Sequence, residues 1–318
     1  MNLHPTPALG LEGQVALTDW GVIRATGADA GTFLQGQLTN DVLALAPLQA
    51  RLAGFCSAKG RLQASFVVWM VGPDEMLLAC SASVLQATLK RLSMFVLRAQ
   101  CKLTDATADF PMWGLTGDAA LPLLAGVEVW DKFNADGITF IRLPDANAQL
   151  RCLQVGMPAA TAVAMSLDAW RWLEVQSGVP TIEASIAEKF VPQMLNYELV
   201  GGVDFRKGCY PGQEIVARSQ YRGTIKRRMF LFDVEGEAAP GQEVFHVNDP
   251  GQPAGMVVNA APRPGMRSSS GTNGFSVLVE VKLAALGDGT LHLGAVDGPV
   301  LLRRELPYEV PSDAPQAA

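Results

Sequence analysis

Apolar and polar positions alternate along this chain in short runs, broken by a few stretches of helical spacing, and the order of the two patterns predicts the fold. Residues 14–24 read as two short strands around the turn-like Thr18-Asp19-Trp20-Gly21. A helix follows over Phe33-Leu34-Gln35-Gly36-Gln37-Leu38, with Asp29 and Thr32 as its caps and Asn40-Asp41 as its end. Residues 51–71 and 76–81 are strand-like, rich in Val, Phe and Trp, whereas residues 83–95 place Val84, Leu85, Leu89 and Leu92 at helical spacing. A second unit of the same kind has strands near residues 112–115, 138–142 and 150–155 and a helix near 118–125. Residues 158–165 suit another helix, although their β-branched side chains work against it. The segment 168–176 is a stronger helix, carrying Trp170, Leu173 and Val175 and stopped by Gly178-Val179-Pro180. Residues 181–203 look irregular.

Beyond residue 225 the texture changes to alternating runs separated by Gly and Pro, at 227–234, 243–247, 255–259, 275–282 and 289–296. That pattern predicts a small β barrel. Residues 262–274 read as a mobile loop and residues 311–318 as a disordered tail. The chain is therefore expected to be α+β, with a first portion over residues 1–110, a second over 111–225, a barrel over 226–310 and the tail.

At 318 residues the chain exceeds one ordinary core and suits two or three domains. Its longest apolar run, Phe66-Val67-Val68-Trp69-Met70-Val71, is far below the roughly 18 residues a membrane span needs, and the first twenty residues lack a basic region followed by an apolar stretch. A cytoplasmic location without membrane attachment is the expectation. Five cysteines with no C-x-x-C spacing agree with a reducing compartment, and three scattered histidines predict no self-contained metal site. The net charge of −6 gives no general footprint for nucleic acid. Between Arg206 and Arg228, however, seven cations face one acid, Glu214. That segment either holds an anion, such as a polyglutamate tail, a phosphate or RNA, or is a solvated helix face followed by a basic edge strand.

Within it, Arg206-Lys207-Gly208-Cys209-Tyr210-Pro211-Gly212 places one thiol beside two cations at an expected helix start, with Pro211 at the first helical position. Cations and the free N–H groups of a first helical turn favour a thiolate, so Cys209 and Lys207 are the candidate chemical residues. The plainer alternative is a small buried hydrophobe followed by a Gly-Pro turn.

The string Lys207-Gly208-Cys209-Tyr210-Pro211-Gly212-Gln213-Glu214 resembles the K-G-C-Y-x-G-Q-E signature of the YgfZ family, bacterial folate-binding proteins similar to the glycine-cleavage T-protein. Three further segments carry the resemblance. They are Phe33-Leu34-Gln35-Gly36-Gln37-Leu38-Thr39-Asn40-Asp41, Lys59-Gly60-Arg61, and residues 170–180 with their R-x-E-x-G-x-P pattern. The resemblance implies a T-protein-like architecture of two ferredoxin-like α+β portions and a barrel around a central opening. It implies tetrahydrofolate or a related folate as ligand, with Glu174 on the pterin ring, because a carboxylate accepts two N–H bonds from an aminopyrimidine edge. Taken alone, Glu174 reads as a solvent-facing helix acid. Gln193, Met194 and Tyr197 are candidates for the same pocket, and Lys59, Arg61 and Arg218 are candidate anion contacts.

T-proteins carry a G-G-x-x-D-D element; here the corresponding stretch is Gly60-Arg61-Leu62-Gln63-Ala64-Ser65, without carboxylates. Acid-base work at the folate nitrogen needs an ionisable group, so aminomethyl transfer is expected to be lost. The function so implied is an accessory role in assembly or repair of iron-sulfur enzymes, including radical enzymes that thiolate tRNA. In it Cys209 carries the thiol chemistry or a transient cluster, and the partners are those client enzymes. A folate-dependent one-carbon transferase and a tRNA-binding module are the alternatives, although direct nucleic-acid binding is not expected.

Overall fold

A computed structural model describes residues 11–157, 163–221, 225–267 and 273–311, and it holds three antiparallel sheets. Each follows from the alternation in its strands. The first sheet orders Ala50–Cys56, Leu62–Gly72, Glu75–Ser81, Trp20–Thr26 and Lys102–Asp105 side by side. Helices α1 (Ala30–Gln35) and α2 (Ala82–Ser93) cover one face of it, over Ile23, Phe55, Phe66, Val68 and Leu78. Residues on the opposite pleat, such as Val22, Leu52, Val67 and Leu77, point into a second, larger core shared with the rest of the chain. Ser81 caps α2 by accepting from the Ser83 N–H at 3.3 Å.

The second sheet runs Gly13–Ala16, Met112–Thr116, Gln149–Val155, Ile138–Ala146, Lys132–Ala135, and the short helix α3 (Leu121–Leu124) packs on it. Gly13–Ala16, expected beside Trp20 in the first portion, instead pairs with Met112–Thr116. The turn between the two strands carries the chain from one sheet to the other, so the first portion gives one strand to the second sheet. Residues 158–162 of an expected helix lie outside the described residues, and its last part is not helical, because Ala164 bridges Gln14 in parallel. The β-branched residues noted there fit extended backbone better.

Helix α4 (Leu167–Gln176) follows, capped by Ser166, which accepts from the Ala169 N–H at 3.2 Å, and buries Ala169, Trp170, Leu173 and Val175. Gly178, at φ +68°, ends it in the left-handed conformation that glycine adopts without strain. Beyond it, residues 181–203 contain only two short 3₁₀ turns, at Ala184–Ile186 and Pro192–Leu195. Helix α5 (Gln213–Tyr221) closes this region.

The third sheet is a six-stranded curled half-barrel in the order Leu291–Leu293, Glu243–His246, Asp249–Arg267, Asn273–Lys282, Arg227–Val234, Leu301–Arg304. A bridge between His292 and Val300 links the two edges of the curl. Here the long strand Asp249–Arg267 overturns the expected mobile loop from Pro262. A register shift beyond Pro262 accommodates the prolines in an otherwise paired strand. Residues 268–272 and 312–318, the remainder of that loop and nearly all of the expected tail, lie outside the described residues. Trp172 Nε1 donates to Ser276 Oγ at 3.0 Å, tying α4 to the half-barrel. The largest core cluster joins all three sheets around α4, through residues such as Leu52, Leu153, Trp170, Tyr197 and Val258.

Candidate functional site

Where the three sheets meet, α4 turns one carboxylate into a cavity. Glu174 lies on the helix one turn after Trp170, so the burial of Trp170 and Leu173 fixes the direction of its side chain. The cavity, of about 40 Å³, is walled by the aromatic and aliphatic side chains of Trp20, Leu52, Val67 and Trp130 and by the polar Ser65, Arg151, Ser177 and Thr181. A second recess of about 190 Å³ shares Trp20, Glu174, Val179 and Thr181 and adds Asp19, Arg171, Glu183 and Asn259. Glu174 therefore stands at the junction of the two. Burial lifts its carboxyl to about 7, against the pull of the Arg151 charge.

The segment beyond α4 is stitched in place as the cavity edge. Ile182 N–H donates to Ser65 Oγ at 2.9 Å, Thr181 N–H to Asn259 Oδ1 at 3.0 Å, and Asn259 Nδ2 returns a bond to Thr181 O at 2.9 Å. Ser65 lies in the stretch where T-proteins carry aspartates, and it faces the cavity with a hydroxyl; Ala64 points into the other core.

Cys209 sits on a separate, exposed loop that three of the sequence motifs build together. Gly60 and Gly212 meet backbone to backbone: a Cβ on Gly212, whose φ is +78°, would lie 2.3 Å from Ser57 O and 2.5 Å from Gly60 N. Only glycine fits there. Gly212→Ala is accordingly expected to destabilise the protein by about 2–4 kcal/mol, read as a lower melting temperature, with protease cleavage appearing near residue 210. Thr39 Oγ1 donates to Gly202 O at 2.6 Å, and Asn40 Nδ2 to Leu52 O at 2.6 Å and Gly201 O at 2.7 Å. The Phe33-to-Asp41 motif thus anchors the strap leading to Cys209.

Lys207 is part of that anchor, a structural task beside the charge role expected for it. Its ammonium donates to Gln35 O and to Leu38 O, the carbonyls ending α1, and lies 5.0 Å from the centre of the Tyr210 ring. Burial pulls this amine down to about 8, with Asp41, Asp204 and lastly Cys209 opposing the shift. The helix also begins at Gln213 rather than at Pro211, because the left-handed Gly212 separates them. Gly208, by contrast, has open space around it. The thiol is thus presented by a braced turn, not by a helix terminus.

The remaining candidates divide. Gln193, Met194 and Tyr197 line neither cavity beside Glu174. Gln193 Nε2 donates to Val216 O at 2.8 Å, Tyr197 packs against Gly54 and Gly202, and Met194 packs on the main core. A chain segment without regular structure needs such side chains to satisfy and fill its interior. Lys59, Arg61 and Arg218 are exposed, Arg61 donating to Lys189 O, and none lines the cavities around Glu174. Part of the basic segment is consumed within the fold, while Arg206, Arg218 and Lys226 stay exposed. Arg227 pairs with buried Glu280, at 2.9 Å through Nη2, and Arg228 pairs with Glu198. Pocket residues that escaped the sequence reading include Trp20, Trp130, Arg151, Ser177 and Thr181. A signal for Arg151 existed, because it shares a strand face with Leu153 and Val155, both core residues.

A third recess, of about 350 Å³, shares Leu52 and Trp130 with the Glu174 cavity and reaches Gly201 and Asp204. Asp204 Oδ1 accepts the Arg206 N–H at 2.7 Å, so this recess ends at the root of the Cys209 loop.

Two α/β sheets and a half-barrel around a carboxylate-bearing cavity define a protein of the glycine-cleavage T-protein fold. The crystal structure of the glycine cleavage system aminomethyltransferase T from Bartonella henselae matches with a TM-score of 0.72 over 93% of this chain and 86% of that one, at 14% identity. Residues 13–156 match the family model described as GCVT N-terminal domain. The tRNA-modifying protein YgfZ of Edwardsiella ictaluri is 32% identical over 275 residues, covering 76% of this chain and 79% of that protein. Its counterpart from Aliivibrio fischeri is 32% identical over 70% of this chain and 72% of its own length. The one from Yersinia enterocolitica is 28% identical over 94% and 93%. The chain belongs to the YgfZ family of tRNA-modifying proteins. No helix among the described residues is long and apolar enough to cross a membrane.

Proposed function

We propose that this protein binds tetrahydrofolate or a related folate in the cavity at Glu174 and serves in the cytoplasm as an accessory factor for iron-sulfur enzymes, including those that thiolate tRNA. The observation that carries the reading is the placement of Glu174: a buried carboxylate on the wall of a partly open cleft that Trp20 and Trp130 also line, suited to the N–H edge and faces of a pterin. The donor set fits such a ligand, since Arg151 Nη1 is a buried donor without a partner on the same wall. When bound, the folate would supply one-carbon or redox chemistry of its own.

The chain's own residues bind and orient rather than catalyse aminomethyl transfer. Ser65 offers a hydroxyl, already accepting from Ile182, where proton transfer would call for a carboxylate. Cys209, exposed on its own braced loop, is the group left for thiol chemistry on a client or for transient ligation of its cluster. One thiolate cannot hold a four-iron cluster, so the other ligands come from the client or a second copy.

Anaerobic titration of the native protein with tetrahydrofolate tests the pocket, with saturable one-to-one binding expected. Incubation with an aminomethyl donor tests the chemistry, and no methylenetetrahydrofolate should accumulate above background. Turnover at enzymatic rates would replace this reading with a one-carbon transferase.

A further inference from the structure

Within the cavity, Arg151 is the group with unmet hydrogen-bonding capacity. It is 2% exposed on the strand Gln149–Val155, and its guanidinium lies 5.3 Å from the centre of the Trp170 ring. Nε and Nη2 donate to Pro144 O at 3.2 and 3.1 Å, while Nη1 is shut off from solvent with no partner among the described residues. Glu174 holds the opposite charge on the same cavity wall, yet no direct ion pair joins the two. Burial draws the Arg151 guanidinium down to about 10 and lifts Glu174 to about 7, each only partly offset by the other.

Opposite charges that share a cavity without touching form a receptor for a group presenting an acceptor next to donors. A buried, unpaired N–H is costly, and a ligand acceptor that reaches it recovers that cost. The pterin edge of a folate has this order, with a 2-amino group and the N3 hydrogen for a carboxylate and, adjacent to them, the 4-carbonyl for a cationic N–H.

We propose that Arg151 reads the 4-carbonyl of the pterin, so that the cavity accepts 4-oxo pteridines and rejects their 4-amino counterparts. This rests on the folate reading above and assigns it a specificity residue. A 4-amino group would turn N–H hydrogens toward a guanidinium that has only hydrogens to offer, leaving both unpaired. Glu174 contributes to discrimination as well, because the neutral 4-amino ring lacks the N3 hydrogen. The contribution of Arg151 is therefore the part of the selectivity that its replacement removes.

The test measures the affinities of tetrahydrofolate and of its 4-amino-4-deoxy analogue by anaerobic titration calorimetry for the native protein, Arg151→Met and Arg151→Lys. The native protein should prefer tetrahydrofolate by roughly 100-fold or more, and Arg151→Met should shrink that ratio at least about tenfold, with Lys intermediate. Any general loosening from the missing bonds to Pro144 weakens both ligands together and cancels in the ratio; circular dichroism and melting confirm folding. A ratio unchanged in Arg151→Met overturns the inference while leaving the folate site intact. Failure of the native protein to bind either ligand overturns both.

Discussion

Glu174→Gln is expected to abolish high-affinity tetrahydrofolate binding and, at the same time, to raise the melting temperature above pH 7. The two effects share one cause. Burial lifts this carboxyl from its ordinary 4.5 to about 7, with Arg151 and Arg171 opposing and Asp19 reinforcing the shift. Between those values the native state keeps a proton that the unfolded chain has released, so stability falls as pH rises through this window and the whole penalty is present above it. Gln cannot ionise and avoids a cost on the order of 2–3 kcal/mol, or roughly 4–8 °C in melting temperature at pH 8. At pH 4.5 the advantage should vanish. Binding moves the other way: replacing one carboxylate oxygen by an amide N–H sets donor against donor, and affinity should drop roughly 100- to 1,000-fold. For the native protein, affinity should rise with pH from 6 to 8 as Glu174 ionises. Melting curves at both pH values and calorimetric titrations check each part, and an unaltered affinity in Glu174→Gln would place the ligand elsewhere.

The second large effect is expected at Cys209. All five cysteines lie among the described residues, and Cys209 is the exposed one; Cys101 is half-buried, and burial pushes the thiols of Cys56, Cys80 and Cys152 up to about 12. Brief treatment of the native protein with iodoacetamide at pH 8 should therefore modify Cys209 first and leave those three unlabelled by mass spectrometry. Cys209→Ser removes no packing, so its melting temperature should stay within about 1 °C of the native value. In cells lacking the native protein, the same variant should leave cluster-dependent tRNA thiolation near the level of the empty background. Full complementation by Cys209→Ser would take the thiol out of the mechanism.

The two halves of the site were legible to different degrees. Helix α4 could be read from its apolar Trp170, Leu173 and Val175 and its stop at Gly178, but its spacing alone left Glu174 as a solvent-facing acid, and only the R-x-E-x-G-x-P resemblance pointed it to a pocket. The motif around Cys209 was visible as a string, but the work of Lys207 was not. Charge proximity in sequence pointed to the thiol, whereas the folded chain brings the carbonyls of Gln35 and Leu38, about 170 positions away, closer to the ammonium. Gln193, Met194 and Tyr197 failed as pocket residues for a similar reason. In a segment without periodicity nothing in the sequence says which side chains face inward to other elements and which face a cavity.

By itself the sequence determined most of the strands, though not Lys102–Asp105, Lys132–Ala135 or Leu301–Arg304, together with the principal helices, the family motifs and the absence of carboxylates at Ala64 and Ser65, because these are local patterns of polarity, glycine and charge. Only the tertiary structure decided that Gly13–Ala16 belongs to the second sheet, that Arg151 shares a cavity with Glu174, and that Gly60 and Gly212 brace the Cys209 loop. Each of these depends on contact between residues far apart along the chain, where close packing and the pairing of buried polar groups set the outcome.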